Sequence, residues 1–196
     1  MRRERNFIGP AGMGGMVSLW GASSLIKSVQ RGTCAVAAGA TTGTSTITVV
    51  DTANCSVRFL GFIDPNNGDG TTNPDVHFTR ITLTNSTTLT ATRATSDATY
   101  GRTVRFEVIE FLPGLLRSVQ RGIVTLPGNA SSTTTITSVN TDKTVMGFLG
   151  FTTNFGSASN NLEGLDVALT NATTVTGTVG NGTATGIVSF EALEFF

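Results

Sequence analysis

Residues 25–32 read LIKSVQRG, and residues 115–122 read LLRSVQRG. The two stretches start 90 positions apart, and neither contains a recognisable catalytic group. A repeat of this kind points to architecture. Three further pairs extend it. FLGF at 59–62 returns at 148–151, LTNSTT at 83–88 returns as LTNATT at 169–174, and FEVIEF at 106–111 returns as FEALEF at 190–195. Their offsets are 89, 86 and 84, and they change only between landmarks. Length therefore varies in the connections while the framework keeps its register, as in a duplicated unit. The repeat predicts unit 1 over residues 24–113 and unit 2 over residues 114–196, with Pro113-Gly114 as the punctuation between them. So short a break leaves the units in contact.

Inside each unit the pattern is that of strands. STITVV (45–50) and TTTITSV (133–139) alternate hydroxyl and apolar side chains, the period of a half-buried strand. RITLTNSTTLTATR (80–93) and VALTNATTVTGTV (167–179) alternate on both sides of Asn85-Ser86 and Asn171-Ala172. Such a pattern predicts a hairpin, with Asn accepting the left-handed backbone of a tight turn. The expected fold is all-β: two tandem, duplicated antiparallel domains, sandwich-like or barrel-like, of about six strands each. Phe59, Phe62, Phe106 and Phe111 should have matching environments at Phe148, Phe151, Phe190 and Phe195. Phe106 and Phe111 are five apart, so a regular strand puts them on opposite faces. A bulge, or packing of one ring on the other unit or a partner, would reconcile this.

Composition agrees with that class. The chain has 35 threonines, 23 glycines and 12 phenylalanines among 196 residues. Threonine is β-branched and favours strands. Charged residues make up 13%, about half the usual share. The 13 basic and 13 acidic side chains cancel, so no global field recruits nucleic acid or an anionic membrane. With 39% hydrophobic residues, a packed core is expected over disorder.

Residues 1–23 have no counterpart in unit 2. They begin MRRERNF and contain several glycines together with Pro10, a poor composition for a membrane helix or a secretory signal. An extended arm docked on a partner is the expectation, with Phe7, Ile8, Met13, Met16, Leu19 and Trp20 as its apolar anchors.

The duplicated pattern, with a leading SVQRG and a closing FExxEF in each unit, resembles short virion structural proteins of tailed bacteriophages. The resemblance spans both units. It implies a non-enzymatic role on the particle exterior, as capsid decoration or a neck, tail or fibre attachment. The implied partners are other virion proteins and copies of the chain itself, with a trimer the favoured symmetry. The implied location is the virion, after synthesis in the bacterial cytoplasm. The alternative is a receptor- or carbohydrate-binding module that uses the loops differing between units.

No catalytic, cofactor or metal site is expected. His77 is the only histidine, and no nucleophile-elbow motif lies near it. Glu107 and Glu110 resemble a glycosidase pair, as do Glu191 and Glu194, but residues three apart on a strand face opposite ways. The glutamates are better placed to receive the repeated arginines, Arg31 in unit 1 and Arg121 in unit 2; a solvated strand face is the other reading. DPNNGDGTTNPD (64–75) departs from a calcium loop at Gly68 and Asp75. Cys34 and Cys55 have unit 2 counterparts near Val124 and Thr144, so the repeated framework does not need cysteines there. Free buried thiols are expected, and a disulfide between subunits stays open as an alternative.

Overall fold

The computed structural model describes residues 25–65, 77–127, 131–154, 165–179 and 185–196. They form twelve strands. Unit 1 contributes β1 (Ile26–Val36), β2 (Thr42–Thr46), β3 (Cys55–Ile63), β4 (Thr79–Asn85), β5 (Thr88–Arg93) and β6 (Arg102–Phe111). Unit 2 contributes β7 (Leu116–Pro127), β8 (Ser131–Thr135), β9 (Thr144–Asn154), β10 (Leu165–Asn171), β11 (Thr174–Val179) and β12 (Thr185–Phe195). The fold is all-β, and its strand pairs are antiparallel.

Each unit uses one topology. In unit 1 the strands run β1-β6-β3 in one layer and β2-β5-β4 in the other; unit 2 repeats this as β7-β12-β9 and β8-β11-β10. The register repeats as well: Arg31 lies across from Glu107 and Arg121 across from Glu191. The units are not free of one another. Arg80 of β4 pairs with Gly150 of β9, which fuses one layer of each unit into the six-stranded sheet β2-β5-β4-β9-β12-β7.

The repeated octapeptide is explained residue by residue. Gly32 and Gly122 lie opposite Phe106 and Phe190. A Cβ on either glycine would come within 2.8 Å of the ring, so each ring covers the space its glycine leaves. Both rings are almost fully buried, which contributes about 1.5–3 kcal/mol each. Gln30 accepts from Thr48 N at 2.7 Å and donates to Thr48 O at 2.9 Å; Gln120 does the same with Thr137. This two-point clamp holds the chain leading toward β3 and β9. Ser28 and Ser118 donate to Glu110 and Glu194, and Arg31 and Arg121 pair with Glu107 and Glu191. Each SVQRG is thus one half of a cross-strand lock, and FExxEF is the other half.

FLGF is a bulge. The β3–β6 ladder shifts register between Phe59 and Phe62, and the β9–β12 ladder shifts between Val188 and Phe190. Gly61 and Gly150 supply the positive φ, 102° and 86°, that these irregularities need.

The hairpins fall where expected, but their turns are built differently. Ser86-Thr87 and Ala172-Thr173 occupy the turns, one residue beyond the expected pairs. Asn85 and Asn171 end the first strands, and their side-chain oxygens accept from Thr87 N and Thr173 N at 2.9 Å. Among the described residues, only glycines have positive φ. Asparagine therefore works here by fastening the following backbone with its side chain and not by adopting a left-handed conformation.

Candidate interaction surfaces

Along β12, Phe190 and Ala192 point into the core of unit 2, so Ser189, Glu191 and Phe195 point to the opposite face. Unit 1 covers that face. Glu191 is fully buried and receives Arg121 Nε at 2.6 Å, Ser56 Oγ at 2.7 Å and Val57 N at 3.1 Å. The Arg121 guanidinium also donates to the carbonyls of Thr52 and Cys55, at 2.9 and 2.6 Å. The start of β3, an edge strand, is thereby fastened to the outer face of unit 2. Burial pushes the Glu191 carboxyl up, against the opposing pull of Arg121. A pair this enclosed holds its place only because its hydrogen-bonding sites are filled.

Apolar contacts run beside it. Leu149, from β9 of unit 2, is 1% exposed and belongs to the core of unit 1. The next residue, Gly150, lies so close to β4 that a Cβ would overlap the Thr79 carbonyl oxygen and approach Arg80 Cα at 2.9 Å. Arg80 Nη1 donates to Ser189 Oγ at 3.3 Å. Phe59 meets Phe148 edge to face, as Phe111 meets Phe195, with centroids 6.3 and 6.4 Å apart. The outward ring of each FExxEF motif therefore packs on the other unit, which resolves the spacing of Phe106 and Phe111.

Among the described residues, no strand covers the matching face of unit 1. Glu107 pairs with Arg31 Nε at 2.6 Å and Arg58 Nη1 at 3.4 Å, and these arginine side chains are 69% and 60% exposed. The inner glutamates close each lock within its own unit. Glu110 receives Lys27 Nζ at 2.8 Å, Asp51 N at 3.0 Å and Ser28; these bonds outweigh burial and hold its pKa below the usual range. Glu194 receives Asn140 N at 2.9 Å and Ser118 at 3.1 Å, and that backbone bond holds its carboxyl low. Each Glu pair splits across two faces of its strand, so the two carboxylates do not converge on one point.

The remaining expected site residues are scattered. Phe7, Ile8, Met13, Met16, Leu19 and Trp20 lie outside the described residues, as do most of the 64–75 loop and residues 155–164. Cys34 and Cys55 are free and fully buried. Burial raises both thiols. His77 pairs with Asp64, which also meets the buried Arg102 at 3.0 Å. Arg102 reaches Asp97 at 3.4 Å, and Arg93 donates to the carbonyls of Ala37, Ala40 and Tyr100. This network ties down one end of unit 1 and has Val179 and Gly186 at its counterparts in unit 2. Among the described residues, no three His, Cys, Asp or Glu side chains are grouped to hold a metal ion. No helix among them is long and apolar enough to cross a membrane.

A cleft of about 420 Å³ opens between the units, lined by Arg80, Thr92 and Arg93 on one side and Thr152, Thr153 and Gly186 on the other. Buried Arg80 Nε and Thr153 Oγ1 have no protein partner. Sequence reasoning missed Leu149, Gly150, Arg80 and Ser189 as the junction. The only available signal was where the copies diverge: Arg80 and Ser189 stand where the other unit has Asp166 and Arg105. In comparison with known proteins, the chain matches no family model, no curated protein and no solved structure.

Proposed function

We propose that the protein is a non-enzymatic structural component of the exterior of a tailed-bacteriophage virion. It decorates or stabilises the capsid, or attaches at the neck or tail, and residues 1–23 anchor it. Its partners in this reading are other virion proteins and further copies of itself, with three copies the favoured number. The observation that carries the reading is the use of the repeated polar groups. Arg31, Arg121, Glu107, Glu110, Glu191 and Glu194 all serve to lock strands or join units. A duplicated β-framework whose charged groups are spent on rigidity suits a part that bears load and displays surface.

Deleting residues 2–22 tests the anchor. The arm carries several glycines, and ordering each of its residues costs about 1–2 kcal/mol of backbone entropy. Burial of Phe, Met and Trp on a partner is what can offset that. The truncated chain should keep its β-rich circular dichroism and be missing from purified particles. Incorporation at the level of the full chain removes the arm as anchor. Absence of the full chain from washed particles, read by mass spectrometry, removes the virion assignment itself.

A further inference from the structure

The contact between the units is not reciprocal. Unit 2 offers its outer face, with Leu149, Gly150, Ser189 and the Arg121–Glu191 pair; unit 1 offers its edges, the start of β3 and the start of β4. The strand β4 packs along β9, whereas β10 has no comparable contact with β3. A two-fold relation between the units would have used both faces and both edges. The head-to-tail relation instead leaves one face on unit 1 and one set of edges on unit 2 without a mate among the described residues.

Both open surfaces show what they lack. Leu60 is 50% exposed, while its counterpart Leu149 is 1% exposed in the core of unit 1. Ile63 is 50% exposed, and its counterpart Thr152 is 3% exposed. A Cβ on Gly61 would meet nothing within 4 Å, whereas one on Gly150 would strike β4. On the edge side, Val145 is 55% exposed where Ser56 is 8% exposed. Val167 and Leu169 of β10 are only partly buried, while Ile81 and Leu83 at the same places in β4 are buried. The core of unit 2 is thus less closed where unit 1 has Leu149 as its plug.

We propose that the chain binds a second copy of itself head to tail, repeating between chains the junction that joins its two units. The face of unit 1 on one copy receives residues 144–146 and the start of β10 from unit 2 of the next. Leu60 enters the neighbour's unit 2 core as Leu149 enters unit 1. Arg31 reaches the carbonyls of Thr141 and Thr144, the counterparts of Thr52 and Cys55. Glu107 accepts from Met146 N, the counterpart of Val57 N. Val145 cannot give the hydrogen bond that Ser56 gives Glu191; Arg58, which stands where unit 2 has Gly147, supplies it from within its own chain.

Charge picks the second copy over other occupants. Arg80 donates to Ser189 inside the chain, and the same two places at the open ends hold Asp166 and Arg105, both exposed. The repeated junction therefore brings an aspartate to an arginine. Every chain carries one surface of each kind, so association propagates until a ring closes. The inference deepens the self-association in the proposed function by naming its surfaces, and it does not depend on the arm or on the virion.

Sedimentation velocity of the full chain across a range of concentrations tests it. The expected species are multiples of the 20.4 kDa chain, growing with concentration. Asp166→Arg and Arg105→Asp should each weaken association by about tenfold or more, because each sets like charges against one another. The double swap should recover affinity to within a few fold. Leu60→Asn should weaken it as well, and all four variants should melt like the parent at a concentration where the parent is monomeric. A chain that stays at 20.4 kDa throughout overturns the proposal. So does association indifferent to these residues, or a double swap no better than its singles. The chain lacking residues 2–22 should associate like the full chain; loss of association there gives the contact to the arm and overturns the proposal, whatever becomes of the particle assay.

Discussion

Glu107 and Glu191 occupy the same place in the same motif, and each accepts an arginine Nε at 2.6 Å. Their surroundings differ. Arg31 and Arg58 are largely in water, where an ion pair contributes about 0–1 kcal/mol. Glu191 and Arg121 are enclosed, and removing one charge strands the other, at about 3–5 kcal/mol. Glu191→Gln should therefore lower stability by that larger amount, and Glu107→Gln by less than about 1 kcal/mol. Urea unfolding at a concentration where the chain is monomeric measures both; equal losses would contradict the assigned burial. That the arginines meet the glutamates was legible in the sequence, because SVQRG and FExxEF recur together. That one pair is enclosed was not, since the residues enclosing it, Ser56 and Val57, belong to the other unit and carry no motif.

At the scale of elements, the bulges of β3 and β9 share a sequence and a backbone shape but not a neighbour. Gly61 and Gly150 both have positive φ, so an alanine at either costs about 1–2 kcal/mol in backbone strain. At Gly150 the added Cβ also collides with β4. Gly150→Ala should accordingly cost several kcal/mol, far more than Gly61→Ala, when thermal unfolding of dilute protein is compared. Similar losses would mean that the pairing of Arg80 with Gly150 is not a tight contact. Strand positions were readable because threonine alternates with apolar residues along them. The turn geometry was misread by one residue, since Asn85 and Asn171 act through side-chain hydrogen bonds that leave no trace in the alternation. The fused sheet was not readable at all: one long-range pair makes it, between an arginine and a glycine that occur in many other contexts.

For the whole molecule, the two cores are tied together by Leu149. Its backbone is a strand of unit 2 and its side chain is a core residue of unit 1, so opening either unit empties part of the other. The buried Glu191–Arg121 pair adds to this linkage, because parting the units would strand both charges or expose them at once. The intact chain should therefore unfold in one cooperative step, with calorimetric and van't Hoff enthalpies in agreement. Leu149→Ala removes the plug and leaves a cavity, at about 2–5 kcal/mol, and that loss falls on unit 1 although the altered strand is in unit 2. Unit 1 should then melt ahead of unit 2, and the van't Hoff enthalpy should drop below the calorimetric one. Leu60→Ala, at the half-exposed counterpart, should leave a single transition shifted little in dilute monomer. Two separate transitions in the parent chain, or one unsplit transition in Leu149→Ala, would show that the units are not coupled through this side chain.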